Sequence, residues 1–298
     1  MIRSPARSLF VDHATKVAHM HQPAKAALQN LRRPLVEGGL LVAEELVARP
    51  ELPPRGETAG RGLAITFAGA FEFQVGKCVS WIDPSRLLFI EAGLSYVDHH
   101  VVPGVGHSSV ILRADAAALE ELWEHVDAQF AGRVGACSLR VQMLAQLLRR
   151  AAEPLAAQEL GVAILEESVA DRRPVTMIDQ RCVRRAKSLL HDCPEGRLSL
   201  SQIAADLGVT PIYLTQSFKR SEGMPLYRYQ TLLRLGRALD RLPGCEDITD
   251  LAFELGYSSH SHFTAVFRSE LGMTPSQYRS VARQRTVGRP CPPMLLAS

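Results

Sequence analysis

The apolar positions in the last third of the chain repeat with a helical period. Residues at i, i+3, i+4 and i+7 share one face of a helix, and a following glycine is a common stop signal. The first set is Leu200, Ile203, Ala204 and Leu207 with Gly208, and the second is Ile248, Leu251, Ala252 and Leu255 with Gly256. The pattern predicts one helical module used twice.

Capping signals flank both copies. A short polar side chain precedes each apolar helix, with a second polar or acidic residue three positions later. The two pairs are Ser199 with Gln202 and Asp247 with Asp250. After the glycines, Thr210 and Ser259 can cap two further helices, and Pro211 suits a first helical position. The sequence therefore predicts two helix-turn-helix units, in which the second helix of each is the candidate recognition helix.

Helical angles of about 100° per residue divide each recognition helix into an inward and an outward face. Phe218, Phe263 and Phe267 fall inward and are assigned to the core. The outward residues expected to read bases are Ile212, Thr215 and Gln216 in the first unit and His260, Ser261, Thr264 and Ala265 in the second. Those expected to contact phosphates are Thr210, Lys219, Arg220, Arg237, Ser259 and Arg268.

Seven segments of this region occur in an order found in a known family. They are Leu200 to Gly208, Tyr213 to Lys219, Arg234 to Ala238, Ile248 to Ala252, Gly256 to Ser259, Ser261 to Arg268 and Gly272 to Arg279. Together they resemble the DNA-binding domain of the AraC/XylS transcription regulators, over about residues 178–282. The resemblance implies two helix-turn-helix units joined by a long helix near Leu226 to Leu242. At 1.5 Å per residue this connector is about 25 Å long, which suits two major-groove faces about one turn apart.

Two positions depart from the family pattern. Many members have arginine where this chain has Gln216 and Ala265. Glutamine prefers adenine and alanine can contact only a thymine methyl, so guanine readout is expected to be weaker at both. His260 and His262 resemble a metal-binding spacing, but residues two apart on a helix point about 200° apart, so no metal site is expected there.

Charge is distributed unevenly along the chain. Residues 178–298 contain 16 lysines and arginines against 11 aspartates and glutamates, whereas residues 1–177 contain 18 against 20. The basic excess therefore lies in the region expected to bind DNA. Additional phosphate contacts are expected just before the first unit, from Arg181, Arg184, Arg185 and Lys187.

The N-terminal part has the period of strands. Phe71, Phe73 and Val75 alternate with polar residues, and neighbouring apolar runs are separated by turn signals. About eight short strands are expected between residues 38 and 112, forming a small β-barrel. Three amphipathic helices follow, at Ala116 to Phe130, Leu139 to Arg150 and Pro154 to Val169. They are expected to pack on the barrel or to pair two subunits.

Short segments of this part are similar to the sensor half of AraC/XylS regulators, a cupin-like barrel. They are Asp83-Pro84-Ser85, Glu91 to Tyr96 and His99 to Gly106. Enzymatic cupins hold a metal with a His-x-His pair, but His99 and His100 are adjacent and would face opposite sides of a strand. His19-Met20-His21 has an alternating spacing but precedes the recognisable strands. We therefore expect no metal and no cofactor.

Composition sets the domain plan. A chain of 298 residues, of which 46% are hydrophobic, can hold two cores. We expect a sensing and dimerisation domain at 1–170, with its helices at about 115–170, then a linker at 171–178, a DNA-binding domain at 178–282 and a loose tail at 283–298. No signal peptide or membrane segment is expected. Six scattered cysteines indicate reduced thiols in a cytoplasm.

These features predict an α+β protein, with an N-terminal cupin-like β-barrel and flanking helices, and a C-terminal all-α domain of two helix-turn-helix units joined by a long helix. The expected function is that of a sequence-specific transcription activator, not an enzyme. We expect a homodimer that binds double-stranded DNA and a small organic effector, with RNA polymerase as a further candidate partner. The alternatives are a cupin-type metal enzyme or metal sensor tethered to DNA, and a regulator controlled only by protein contacts.

Overall fold

A computed structural model describes residues 30–38, 41–117, 119, 134–170, 181–193 and 198–285. Most of the helix predicted at 116–130 lies outside these residues, as do the linker at 171–178, the tail beyond residue 285 and the segment His19-Met20-His21. The described part nevertheless contains both predicted helix-turn-helix units and the strand-rich region. It has a sheet-rich N-terminal region and a helical C-terminal region.

The strands of the described region run from residue 31 to residue 136. They are β1 Leu31–Val36, β2 Leu41–Ala48, β3 Arg55–Glu57, β4 Gly62–Ala68, β5 Phe71–Val75, β6 Cys78–Ile82, β7 Arg86–Ile90, β8 Ser95–His100, β9 His107–Ala114 and β10 Val134–Ala136. The expected meander is present as β5 to β8. The sequence pattern did not predict β1, β3 and β10. These strands lack an apolar–polar alternation, because β3 and β10 are only three residues long and β1 contains charged residues.

The strands form two separate antiparallel sheets. The larger has the order β1-β2-β9-β4-β7-β10 and the smaller the order β3-β8-β5-β6. Among the described strands no ladder joins the two, so the expected closed barrel is wrong. Alternation along a strand indicates which face is buried, but closure depends on pairing between the outermost strands, which the sequence does not encode locally.

Helices cover the larger sheet and make up most of the remaining described residues. They are α1 Leu139–Leu148, α2 Pro154–Ala170, α3 Arg181–Asp192, α4 Leu200–Asp206, α5 Pro211–Glu222, α6 Leu226–Arg241, α7 Ile248–Glu254, α8 His260–Leu271 and α9 Pro275–Gln284. A short 3₁₀ turn, Leu242–Gly244, follows α6. The long connector predicted near Leu226 to Leu242 corresponds to α6. None of the helices in the described part is long and apolar enough to cross a membrane.

The main apolar core continues from the larger sheet into the helical region. Ile65 of β4, Leu148 of α1, Leu235 of α6 and Phe267 of α8 belong to one buried cluster. Strand β4 is buried along most of its length because helices cover one face and the smaller sheet the other. A second cluster holds α3, α4 and α5 against α6. The helical region is therefore packed on the sheet and not only linked to it.

Candidate nucleic-acid interface

The first helix pair consists of α4 and α5. Ser199 and Gln202 form a reciprocal capping box at the start of α4. The turn after it contains Gly208 at a φ of +66°, a conformation that costs other residues energy. Thr210 then caps α5 by accepting a hydrogen bond from the backbone N–H of Tyr213 at 3.2 Å. Local sequence thus fixes where each helix of the pair begins and ends.

The second helix pair consists of α7 and α8 and repeats this local design. Asp247 caps α7 by accepting from the backbone N–H of Thr249 at 2.5 Å. Gly256 turns the chain at a φ of +80°. Ser259 caps α8 by accepting from the backbone N–H of His262 at 3.1 Å. The N-caps and glycine turns predicted for the two copies are confirmed.

The inward faces of α5 and α8 are also as predicted. Phe218, Phe263 and Phe267 have no exposed surface. Phe263 and Phe267 stack edge to face with ring centroids 5.6 Å apart. Phe218 lies 5.4 Å from the ring of Tyr229 on α6. These aromatic side chains hold the helices and do not reach a DNA surface.

The outward face of α5 is available to a partner. Ile212 is 71% exposed, and Gln216, Lys219 and Arg220 are exposed as well. Thr215 is half-buried and its hydroxyl donates to the carbonyl of Pro211 at 2.9 Å. The sequence pattern missed Tyr213, which is 51% exposed on the same helix.

On α8 the outward face is made of small and polar side chains. The exposed residues are His260, Ser261, Ala265 and Arg268, and the capping residue Ser259 is half-buried. The ring of His262 lies edge-on to that of Tyr257, with 5.5 Å between the centroids, and His262 is exposed. Thr264 departs from its expected role, because its hydroxyl oxygen is buried and has no hydrogen-bond partner. In this conformation it cannot offer that group to a base.

Two expected phosphate contacts serve the protein interior. The guanidinium of Arg237 donates to the carbonyls of Leu190 and Cys193, both at 3.3 Å, and so closes the end of α3. Lys187 is 3% exposed. Its ammonium lies 2.8 Å from Asp83 and 3.1 Å from Glu222, so it pairs with carboxylates. Both roles depend on neighbours far away in sequence.

A buried charge cluster joins the first helix pair to the turn between β6 and β7 and to the start of β7 in the larger sheet. It comprises Asp83, Arg86, Lys187, Glu222 and Tyr229. Asp83, in the turn between β6 and β7, has no exposed surface. Its Oδ2 accepts from the Tyr229 hydroxyl at 3.0 Å, and Glu222 at the end of α5 pairs with both Arg86 and Lys187. The C-terminal end of α5 is thus bonded to the sheet region.

The neighbours of Asp83 complete the cluster. Trp81 donates its indole N–H to Oδ2 at 2.7 Å, and the backbone N–H and hydroxyl of Ser85 donate to Oδ1 at 2.8 and 2.6 Å. Burial alone would raise the pKa of Asp83. The nearby positive charges of Lys187 and Arg86 outweigh it and hold that pKa well below its usual range. The carboxylate is therefore charged and fully paired.

A separate cavity of about 320 Å³ lies between the two sheets. Phe71, Phe73 and Tyr96 line it together with Asp98 and His107. His99 points elsewhere, with its Nε2 2.7 Å from the side-chain oxygen of Gln74. The described residues contain no group of three histidines, cysteines or carboxylates placed to hold a metal ion.

Comparison with known proteins locates the similarity in the helical region. Residues 203–280 match a family described as a helix-turn-helix domain. The HTH-type transcriptional activator RhaR of Escherichia coli K12 is 29% identical over 111 residues, which is 37% of this chain and 38% of RhaR. The match therefore spans well under half the length of this curated relative.

Two solved structures are similar to parts of the chain. A transcriptional regulator with an AraC-type DNA-binding domain from Chromobacterium violaceum is 31% identical, covering 35% of this chain and 93% of that one with a TM-score of 0.33. ToxT from Vibrio cholerae O395 is 11% identical, covering 85% of this chain and 97% of that one with a TM-score of 0.34. The C-terminal region of this chain, with its two capped helix pairs and their buried aromatic faces, belongs to the AraC-type helix-turn-helix family.

Proposed function

We propose that the protein is a sequence-specific DNA-binding transcription regulator that uses both helix pairs. The observation that carries the proposal is the exposed face of α5, which lies within the matched residues 203–280. On this face Gln216, Lys219 and Arg220 are exposed, while Phe218 behind them is buried. A glutamine can bond to adenine in the major groove, and the two cations can meet phosphates. On α8 the corresponding face holds His260, Ser261, Ala265 and Arg268.

Two matched substitutions on α5 test this assignment. Gln216→Ala should weaken binding to the preferred DNA site by about 1–3 kcal/mol of binding free energy and relax the base preference at one base pair. Lys219→Ala should weaken binding to all sequences alike and reduce the salt dependence, because a phosphate contact carries no sequence information. Fluorescence anisotropy against the preferred and scrambled duplexes separates the two effects. If folded Gln216→Ala protein keeps both its affinity and its preference, the recognition face is assigned wrongly.

We further propose activation in response to a small organic effector held in the cavity between the sheets. A mostly apolar cavity with a few convergent polar groups is the usual form of a small-molecule site. RhaR is an activator, which supports the same sign of regulation here. Transcription from a promoter carrying the preferred site, with RNA polymerase present, should rise when the protein is added. A fall in transcript would identify a repressor instead.

The domain plan of 1–170, 171–178, 178–282 and 283–298 and a homodimeric state complete the proposal. Leu155 of α2 is 68% exposed and Val162 is 37% exposed, so this helix presents apolar surface beyond what it buries. We propose α2 as the surface that pairs two copies. Sedimentation of wild type and Leu155→Glu should show a dimer and a monomer respectively. A monomeric wild type at micromolar concentration would remove the dimer from the proposal.

A further inference from the structure

The cavity between the sheets contains a buried carboxyl group with unused hydrogen-bonding capacity. Asp98 of β8 is 3% exposed, and its Oδ1 has no hydrogen-bond partner. Its Oδ2 lies 3.6 Å from Nε2 of His107, longer than a hydrogen bond. A buried polar atom without a partner is costly. Because Asp98 also lines the cavity, a bound group that donates a hydrogen bond to this carboxyl group would remove that cost.

Hydrogen bonds around the two histidines determine which of their atoms are acceptors. Nδ1 of His100 lies 3.1 Å from the carbonyl of Pro50, which can only accept, so Nδ1 carries the hydrogen. In a neutral ring Nε2 is then the acceptor, and it lies 3.2 Å from Nδ1 of His107, which must donate. Nε2 of a neutral His107 therefore has a lone pair and faces Asp98. When Asp98 is ionised, its Oδ2 and this Nε2 are two acceptors that face each other with no donor between them.

Burial determines the charge state of both groups. It lowers the pKa of His107 to about 3, so the ring is neutral near pH 7. Burial also raises the pKa of Asp98 to about 8, because the carboxylate has too few partners to compensate for lost hydration, so the carboxyl is largely protonated near pH 7. A bound group that supplies N–H donors and positive charge would compensate the carboxylate and favour its ionised form, while His107 stays neutral and accepts.

The rest of the cavity suits an apolar body. The ring of Phe71 stacks on His107 at 3.9 Å, and Phe73 stacks on Tyr96 at 5.3 Å. The two arginines of the lining, Arg32 and Arg113, both pair with Glu44, at 2.7 and 2.8 Å. They are already engaged and so are less available to an anion. Asp98 is the buried charge-bearing residue of the lining with an oxygen that lacks a hydrogen-bond partner, and the positive charge of Arg32 lowers its pKa without outweighing burial.

We propose that this cavity binds a small, largely apolar primary amine, whose ammonium group lies between Asp98 and His107. The ammonium donates to the carboxylate and to the histidine nitrogen, and Asp98 loses its proton to solvent on binding. This inference rests on the proposed function only for the regulatory role of the ligand, since binding itself can be measured without DNA.

Three probes of matched shape test the ligand class on the full chain. They are 4-phenylbutylamine, 4-phenylbutanol and 4-phenylbutanoate, titrated by calorimetry at about pH 8. The amine should bind once per chain and at least about tenfold more tightly than the alcohol, because its bonds to Asp98 are charge-assisted. The carboxylate should show no measurable binding. Equal or tighter binding of the carboxylate, or no binding of any probe, would overturn the proposal.

Variants locate the effect in the cavity. Asp98→Asn keeps the shape but removes the charge, so the preference for amine over alcohol should disappear. Glu57→Gln, at an exposed carboxylate of the cavity rim, should leave the preference intact. A preference that survives in folded Asp98→Asn protein would contradict the assignment, and if that variant does not fold, the wild-type ranking of the probes decides alone. A stoichiometric metal that survives dialysis would also contradict it, by showing a different occupant.

The same protein preparation separates this inference from the proposed function. Sequence-specific DNA binding without amine binding would remove the ligand class and leave the regulator intact. Amine binding without sequence-specific DNA binding would leave the ligand class intact and remove the proposed regulator function.

Discussion

The two helix pairs are alike in local design and differ in what holds them. Both begin with a hydroxyl or carboxylate cap, turn at a glycine with positive φ and bury aromatic rings behind the recognition helix. The first pair is fixed to the sheet region through the buried charge cluster, where Glu222 of α5 pairs with Arg86 and Lys187. The second pair joins the main apolar core through Phe263 and Phe267.

The contrast between a buried charge cluster at α5 and apolar packing at α8 indicates how each of these helices keeps its orientation. Apolar packing tolerates small shifts, because dispersion contacts are numerous and individually weak. A buried ion pair tolerates little, since moving one partner leaves a charge in a medium that cannot solvate it. The end of α5 is therefore held in one arrangement relative to the sheet region. A conformational change in the sheet region should therefore alter the orientation of the first helix pair more directly than that of the second.

The largest expected effect comes from breaking the charge cluster at its centre. Asp83→Asn removes the charge opposite Lys187 and replaces an acceptor with a donor that faces Trp81 and Tyr229. The loss should be about 3–5 kcal/mol of unfolding free energy, as for other broken buried pairs. Chemical denaturation of both proteins measures it. The control is Glu72→Gln at the part-exposed pair with Arg184, which should cost less than about 1 kcal/mol.

Acid should reproduce part of this loss in the wild type. The pKa of Asp83 in the folded protein lies below its unperturbed value of 3.8, so its stabilisation is present above about pH 4 and is lost as pH falls further. The Asn variant has no such contribution to lose. The two stability curves should therefore converge toward acid pH. Curves that stay parallel, or an Asp83→Asn cost no greater than that of Glu72→Gln, would contradict a stabilising role for the cluster.

Turn substitutions sharpen the comparison by testing whether the pairs are locally equivalent. Gly208→Ala should lower the free energy of unfolding by about 1–2 kcal/mol, because alanine is disfavoured at a φ of +66°. An added Cβ would meet no atom within 4 Å, so backbone strain is the whole of the expected loss. Gly256→Ala, at a φ of +80°, should cost at least a similar amount. Thermal unfolding with Gly244→Ala as the control provides the measurement. A cost near zero at either position would show that its turn adapts without strain.

The smallest expected effect concerns the caps of the recognition helices. Thr210→Ala and Ser259→Ala each remove the acceptor for one backbone N–H. Each should lower the free energy of unfolding by about 1 kcal/mol. Denaturant midpoints with an unchanged slope would identify this as a loss of stability alone. Thr210→Ser, which keeps the acceptor, should recover most of the loss. Failure of that rescue would place the role of Thr210 outside capping.

The sequence was most informative where structure depends on near neighbours. Caps, glycine turns and buried faces follow from spacings of two to four residues, and Phe218 and Phe267 lie where that spacing predicts. Local spacing gave no sign that Lys187 and Arg237 pair with groups inside the protein, because those partners come from distant parts of the chain. Lys187, for example, meets Asp83 in a strand turn far upstream. No local pattern marks a lysine that will be buried against a carboxylate.

The same reasoning explains the outcome for the sheets. Alternation along β5 predicted a strand correctly, but nothing in it specifies that β8 pairs with β5 while β9 pairs with β2 and β4. The cavity between the sheets was equally hidden, because its lining resembles ordinary core. The only early indication was the segment from His99 to Gly106, which ends just before His107. No spacing in the sequence marks Asp98, whose unpartnered oxygen results from the packing of the two sheets.

Selection from a pool of random duplexes tests the central claim most directly. The full chain should enrich a motif of two parts, with centres about one helical turn apart, because two recognition helices meet successive major grooves. Gln216→Ala should alter one part and leave the other unchanged, whereas Ala265→Arg should add a guanine preference to the second part alone. Enrichment of no sequence, or of a single short motif that neither substitution changes, would contradict the account.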